Sequence, residues 1–224
     1  MMQVSLEALI TSGKQGTHLI SMQTDTVPAL ACRPDAAAMI YAAKQRSFSK
    51  PLILMVSHPD DLWGYVQQNH PAFELWQQVA SKYWPGAITL VLPASDRLPH
   101  AVNPTNPTTI GLRVPNCAIA RHILHHTGPL ATTSVNRSGH PPLETIETIN
   151  KEFPDVLTLS PQELAQWKYP PSNLAHLSSD TEENAPEASF GTPSTVIAWT
   201  DNGWNIIRQG SVSFPQTNAP PASS

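Results

Sequence analysis

The 224-residue sequence predicts an α/β fold: a single domain on a twisted sheet, mixed parallel and antiparallel, flanked by helices. Short apolar runs of strand length alternate with longer stretches of helical periodicity. The alternation is irregular, which favours a mixed sheet over a strictly parallel one. Near the end, Asp201-Asn202-Gly203 joins two strand-like runs, and Asn-Gly is a strong signal for an antiparallel hairpin.

Along the chain, Ser5 is placed to cap a short helix that carries Leu6, Leu9 and Ile10 on one face and stops at Gly13. A strand at 18–22 runs into the polar segment Gln23-Thr24-Asp25-Thr26. Asp35 is expected to cap a helix from Ala36 to Ala43 that finishes in Lys44-Gln45-Arg46. Pro51-Leu52-Ile53-Leu54-Met55-Val56 is apolar on both faces, as a buried strand is. Helical stretches follow near 59–66 and 71–82, and Trp84-Pro85-Gly86 turns the second into the strand Ile88-Thr89-Leu90-Val91-Leu92. Next come a strand at 109–114, a helix at 116–126 stopped by Gly128, and a strand at 130–135. Ser160-Pro161-Gln162-Glu163 is a helix start with Pro at its first position and Glu three residues after Ser. Residues 169–193 are polar, acidic and Pro-rich and are expected to form a long surface loop. Strands at 194–199 and 205–208 close the domain, and the Pro-, Ser- and Ala-rich residues 213–224 are expected to be disordered.

Composition limits the function. Apolar residues make up 40% and charged residues 13%, a globular balance and not a disordered one. A net charge of −4, from 13 basic and 17 acidic side chains, argues against a broad nucleic-acid surface and leaves only a local patch for direct RNA binding. Cys32 and Cys117 form no CxxC pair and are expected as buried small hydrophobes in a reducing compartment. The N-terminus shows no signal-peptide pattern and no apolar run reaches membrane length, so a cytoplasmic protein with no membrane partner is expected. His122 and His126 lie four apart on a predicted helix, but no third ligand has suitable spacing; a solvated helix end is expected, and no protein metal site.

Strand geometry singles out polar positions. Thr109, Gly111 and Arg113 share one face of their strand, opposite the apolar Ile110, Leu112 and Val114. Thr132, Ser134 and Asn136 share a face of another. Small hydroxyls and amides at strand ends suit ligand contacts in open α/β sheets, or they satisfy local backbone groups. Lys44, Arg46 and Lys50 form the densest basic cluster. They are either a helix end matched to its macrodipole or a clamp for nucleotide phosphates, to which Arg208 would add a charge.

The chain resembles the YrdC family through an ordered set of blocks covering residues 4–212. They are Thr24-Asp25-Thr26-Val27, Lys44-x-Arg46 with Lys50-Pro51-Leu52, and Trp84-Pro85-Gly86. Thr109-Ile110-Gly111-Leu112-Arg113-Val114-Pro115, Thr133-Ser134-Val135-Asn136-Arg137-Ser138-Gly139, Ser194-Thr195-Val196-Ile197 and Ile207-Arg208-Gln209-Gly210 follow in order. The resemblance implies a YrdC-like fold and formation of L-threonylcarbamoyladenylate from L-threonine, bicarbonate or CO2, and ATP with Mg²⁺, releasing pyrophosphate. It implies that Thr26, Arg113, Ser134 and Ser194 hold threonine, with Arg113 on the carboxylate. Arg46, Lys50, Thr109, Asn136 and Arg208 would lie along ATP, with Lys44 near the phosphates; Lys44, Arg46 and Lys50 are the implied catalytic set. The adenylate would pass to a downstream tRNA threonylcarbamoyl transferase complex, as the first step of tRNA N6-threonylcarbamoyladenosine modification.

The chain departs from the family pattern at Gln23, Pro28 and Ala29, where Pro and Tyr-Gly are usual, and at Met55, where some members place His. Such changes bear on amino-acid choice, or mark a catalytically weakened relative that binds nucleotide or RNA. A carbamoyl-transfer domain like that of hydrogenase maturation factors shares the fold, but its CxxC pairs and acylphosphatase region do not appear in this sequence.

Overall fold

A computed structural model describes residues 2–167 and 191–215. The strands are β1 (Gln3–Val4), β2 (Ile20–Met22), β3 (Ala29–Cys32), β4 (Ile53–Met55), β5 (Ile88–Pro93), β6 (Thr109–Arg113), β7 (Leu130–Ser134), β8 (Leu157–Leu159), β9 (Thr195–Thr200) and β10 (Gly203–Arg208). The helices are α1 (Leu6–Gln15), α2 (Ala38–Lys44), α3 (Phe73–Tyr83), α4 (Ala118–Thr127), α5 (Ile146–Glu152) and α6 (Pro161–Gln166). Among the described residues the strands form one sheet in the order β1-β8-β2-β3-β7-β4-β6-β5-β9-β10. Pairs β1–β8, β2–β8, β4–β6 and β5–β9 are parallel and the other neighbours antiparallel, so this is the mixed-sheet α/β fold that the irregular alternation predicts.

Alternation along the strands divides the interior in two. Leu30 and Cys32 of β3 join the larger apolar cluster, together with Leu54, Leu90, Leu92, Ile110 and Leu112. Side chains from α2 (Ile40, Tyr41) and α3 (Trp76, Ala80) seal that face. Ala29 and Ala31 point to the opposite face and join a smaller cluster with Ile20, Met22 and Leu130, closed by Leu9 of α1 and Ile119, Ile123 and Leu124 of α4. Helices α1 and α4 pack on each other, and α1 on β2 and β8, toward one end of the sheet. On this second face the middle strands carry polar and small residues, and the site lies there.

Several local expectations need correction. Ser5 does cap α1, its Oγ accepting from Ala8 N at 3.3 Å, but the helix runs through Gly13 and ends at Gly16. Gly16 has a φ of 69°, a left-handed conformation suited to glycine, whereas a Cβ on Gly13 would press to 3.0 Å from Ile20. Asp35 caps no helix; its carboxylate pairs with Arg33, and a short 3-10 turn (Pro34–Ala36) precedes α2. The stretch near 59–66 holds two 3-10 turns, not an α-helix. Glu163 does not close a capping box on α6; its Oε2 accepts from Leu6 N at 3.2 Å and so caps α1, tying the two helix starts together. Phe214, assigned from sequence to the disordered tail, is buried against Tyr83 and Trp204. The expected loop at 169–193 lies outside the described residues except for 191–193, as does the tail beyond 215.

Cys32 is buried, which pushes its thiol up to about 12, and Cys117 is half-buried; both are free. His126 is exposed, as a solvated helix end is, whereas His122 is buried, its ring against His126 and Trp167. Among the described residues no group of three or more His, Cys, Asp or Glu could hold a metal ion. No described helix is long and apolar enough to cross a membrane.

Candidate functional site

The bare part of the second sheet face forms an open cleft of about 490 Å³. This volume is in the range of small-molecule sites. Its floor is a row of paired residues, Thr132 on β7, Ile53 on β4, Gly111 on β6 and Val91 on β5. A Cβ on Gly111 would stand 2.7 Å from Ile53 Cγ2, so glycine keeps the floor open. Strand β6 runs the length of the cleft from Thr109 to Arg113, about 13 Å at the usual rise of a strand.

At the Arg113 end, the loop after β2 folds back on itself. Thr24 Oγ1 donates to the Val27 carbonyl at 2.7 Å and accepts from Thr26 N at 3.2 Å. Arg113, 2% exposed, enters this loop from β6 and is held by three of its nitrogens. Nε donates to the Gly86 carbonyl at 3.1 Å, Nη1 to Thr26 Oγ1 at 2.9 Å and Nη2 to Asp25 Oδ1 at 2.7 Å. The Arg113 charge is therefore already offset by a buried carboxylate. Hydrogen accounting then sets the role of Thr26. The Thr24 hydrogen goes to Val27, so in the 3.1 Å contact between the two hydroxyls Thr26 is the donor. Toward a ligand Thr26 offers an acceptor lone pair, suited to an N–H or O–H.

Ser134 behaves alike. Its Oγ donates to Asn136 Oδ1 at 2.6 Å, leaving oxygen lone pairs toward the cleft. Ser194 lines the opposite wall, with Thr89 Oγ1 3.0 Å from its hydroxyl and its carbonyl accepting from Arg208 Nη2 at 2.7 Å.

At the Thr109 end lie Arg46, Asn103 and Asn106. Arg46 Nε donates to the Lys50 carbonyl at 2.8 Å and Nη2 to the Pro51 carbonyl at 3.0 Å, so the guanidinium is set by its own loop. Phe48 of that loop is tied by its carbonyl to Thr105, another lining residue. Arg208 lines the cleft from β10. Among the described residues none of Lys44, Arg46, Lys50 and Arg208 is paired with a carboxylate.

Thr26, Arg46, Thr109, Arg113, Ser134, Ser194 and Arg208, singled out from sequence, thus meet in one cleft. Three others do not line it. Lys50 is exposed on the surface loop. Asn136 sits behind Ser134, its amide donating to the Arg137 and His140 carbonyls. Lys44, 1% exposed, lies behind both: Nζ donates to the Ser134 carbonyl and, at 3.0 Å, to Asn136 Oδ1. Burial, with a smaller push from Arg46, lowers its ammonium to about 7. Arg137, in the same block, turns away to Glu152 and the Ala43 carbonyl and anchors α5. Sequence reasoning missed the part played by Asp25, and missed Thr89, whose hydroxyl interrupts the apolar run of β5 and was a readable signal.

The Lys44 shift has a testable consequence. The unfolded chain keeps this proton up to its ordinary 10.5 and the folded chain loses it near 7, so stability rises with pH between about 7 and 10.5. Lys44→Met is expected to remove that gain. In urea unfolding the stability of the variant relative to wild type should then fall as pH rises through this window; parallel pH profiles would contradict the buried, depressed ammonium.

Fold and site together define an α/β protein with an open cleft on one sheet face, lined by arginines and by hydrogen-bonding hydroxyls and amides. The chain belongs to the Sua5/YciO/YrdC family, whose model, described as telomere recombination, matches residues 14–164. The threonylcarbamoyl-AMP synthase of Vibrio campbellii is 31% identical over 147 residues, 64% of this chain and 78% of that relative. P. abyssi Sua5 complexed with L-threonine superposes with a TM-score of 0.71 at 24% identity over 92% of this chain. This chain spans about half, 54%, of that Sua5 chain. E. coli YciO gives a TM-score of 0.67 at 22% identity, covering 92% of this chain and 88% of that one. At these identities the two structures establish the fold.

Proposed function

We propose that this protein forms L-threonylcarbamoyladenylate from L-threonine, bicarbonate or CO2, and ATP, releasing pyrophosphate. The observation that carries the reading is the polarity of the cleft. Arg113 and the acceptor Thr26 stand at one end of β6, and the cation Arg46, with no carboxylate partner among the described residues, stands with Thr109 at the other. The first end suits an amino acid, whose carboxylate takes the remaining guanidinium hydrogens while its amine donates to Thr26. The second suits a triphosphate, with Arg208 adding charge from the wall. The L-threonine complex of Sua5 and the name of the Vibrio relative support the same substrate.

The chemistry asks the protein mainly to position two anions and offset charge. The threonine nitrogen bonds to the carbon of CO2 and loses a proton, giving a carbamate. A carbamate oxygen then bonds to the α-phosphorus as the bond to the β-phosphate oxygen breaks, and pyrophosphate carries away the electron pair. Arg46 and Arg208 stabilise charge gathering on the phosphates, and Lys44 and Asn136 hold Ser134 in place. Among the described residues no Asp or Glu lines the cleft, so Mg²⁺ would arrive on the triphosphate. The adenylate would pass to a tRNA threonylcarbamoyl transferase. Incubation with ¹³C-bicarbonate, threonine and ATP tests the reading: mass spectrometry should find a labelled carbonyl in an adenylate, and an unlabelled nucleotide pool from folded, ATP-binding protein would refute it.

A further inference from the structure

Deepening that reading, and resting on it, we infer that Asp25 is a positioning residue that holds the Arg113 guanidinium in the orientation serving the amino-acid carboxylate. Asp25 does not line the cleft and acts through Arg113. Both side chains are buried, Asp25 7% and Arg113 2% exposed. A carboxylate facing a guanidinium usually accepts two parallel hydrogen bonds, which satisfies both oxygens. Here it accepts one. Asp25 Oδ2 is buried with no hydrogen-bond partner, because the second guanidinium arm, Nη1, is given to Thr26 Oγ1 at 2.9 Å. An unsatisfied buried oxygen costs stability, and such exceptions call for an explanation. The explanation offered by the geometry is that the one-armed pair leaves Arg113 and Thr26 side by side at the cleft wall, where a bidentate pair would draw the guanidinium into the loop.

The rest of the network fits this division of labour. Gly86 fixes Nε from the turn before β5, and the Thr24–Val27 bond fixes the loop that carries Asp25 and Thr26. Nη1 and Nη2 each keep one hydrogen beyond their bonds to Thr26 and Asp25. Asp25 thus selects which face of the fork is presented without touching the ligand.

The test compares Asp25→Ala, Asp25→Asn and Asp25→Glu with wild type, measuring half-saturation for threonine and ATP in pyrophosphate release. Alanine removes the acceptor and should raise the threonine value about tenfold or more while the ATP value moves less than about twofold. Asparagine keeps an acceptor oxygen in place and should rescue threonine to within about threefold of wild type. Glutamate keeps the charge pair, so it tests the point without an unpaired buried guanidinium; its extra methylene displaces Arg113 and should reproduce the selective threonine loss. Equal losses for both substrates, or an unchanged threonine value in the alanine and glutamate variants, would overturn the inference alone. Wild-type protein without any threonine response would overturn the functional reading, and the inference with it.

Discussion

Arg113→Ala is expected to raise the threonine concentration for half-maximal turnover by about two orders of magnitude while leaving ATP affinity nearly unchanged. Two charge-assisted hydrogen bonds to a carboxylate are lost, each worth about 1.5–3 kcal/mol. The substitution also leaves Asp25 charged and unpaired in a buried loop, which should cost about 3–5 kcal/mol of stability. The two effects separate in the double variant Arg113→Ala/Asp25→Ala. Removing the orphaned carboxylate should recover much of the unfolding midpoint and none of the threonine response. A double variant that recovers threonine use would show that Arg113 matters only for folding. Titrating threonine at saturating ATP, with thermal unfolding on the same samples, distinguishes the cases.

Arg46→Ala is expected to weaken ATP by about 10- to 100-fold, and Lys50→Ala by less than about threefold. From sequence the two residues belong to one phosphate clamp, but the structure sets them apart. Arg46 lines the cleft, immobilised by the Lys50 and Pro51 carbonyls, whereas the Lys50 side chain is exposed on the loop surface. A fixed guanidinium in a partly enclosed site holds phosphate more strongly than a solvated ammonium, which salt screens. Nucleotide titration at low and high ionic strength checks this: the small Lys50→Ala effect should vanish with salt, and most of the Arg46→Ala effect should persist. Equal effects for the two variants would mean that the loop rearranges to bring Lys50 onto the phosphates.

Part of the sheet was legible from clean alternation, and β4 and β5 from runs of large apolar residues. Ile110, Leu112 and Val114 face the core while Thr109, Gly111 and Arg113 face the cleft, and on β7 Ala131 joins the core while Thr132 and Ser134 line the cleft. Strand β3 escaped notice because it is buried on both sides and, unlike β4, takes Ala29 and Ala31 among its four residues, so neither polar alternation nor a run of large apolar residues marks it. Strand β1 has two residues and β8 three, too few for a period, and the seven residues of α5 carry only Ile146 and Ile149 as apolar positions. Local signals also misplaced ends. Gly13 looks like a helix stop, but only Gly16 has the left-handed backbone that ends α1; Gly13 serves close packing instead.

The site was legible as a set of residues and not as a set of directions. Lys44 follows the helix rule for a basic last turn, and nothing in its neighbours shows that it turns inward to Ser134 and Asn136. Asp25 stood in a recognised block, but its partner is 88 residues away and the pairing exists only once β6 meets the loop. Of the departures from the family pattern, Pro28, Ala29 and Met55 line the cleft and Gln23 does not. Their effect on amino-acid choice is therefore open to direct comparison of threonine with serine.

The most direct measurement is pyrophosphate release from ATP and Mg²⁺, with threonine and bicarbonate each added or withheld. Release that requires both, and stops when either is omitted, is the predicted result. Release that ignores threonine, or none from folded protein that still binds ATP, would contradict a cleft built to join the two substrates.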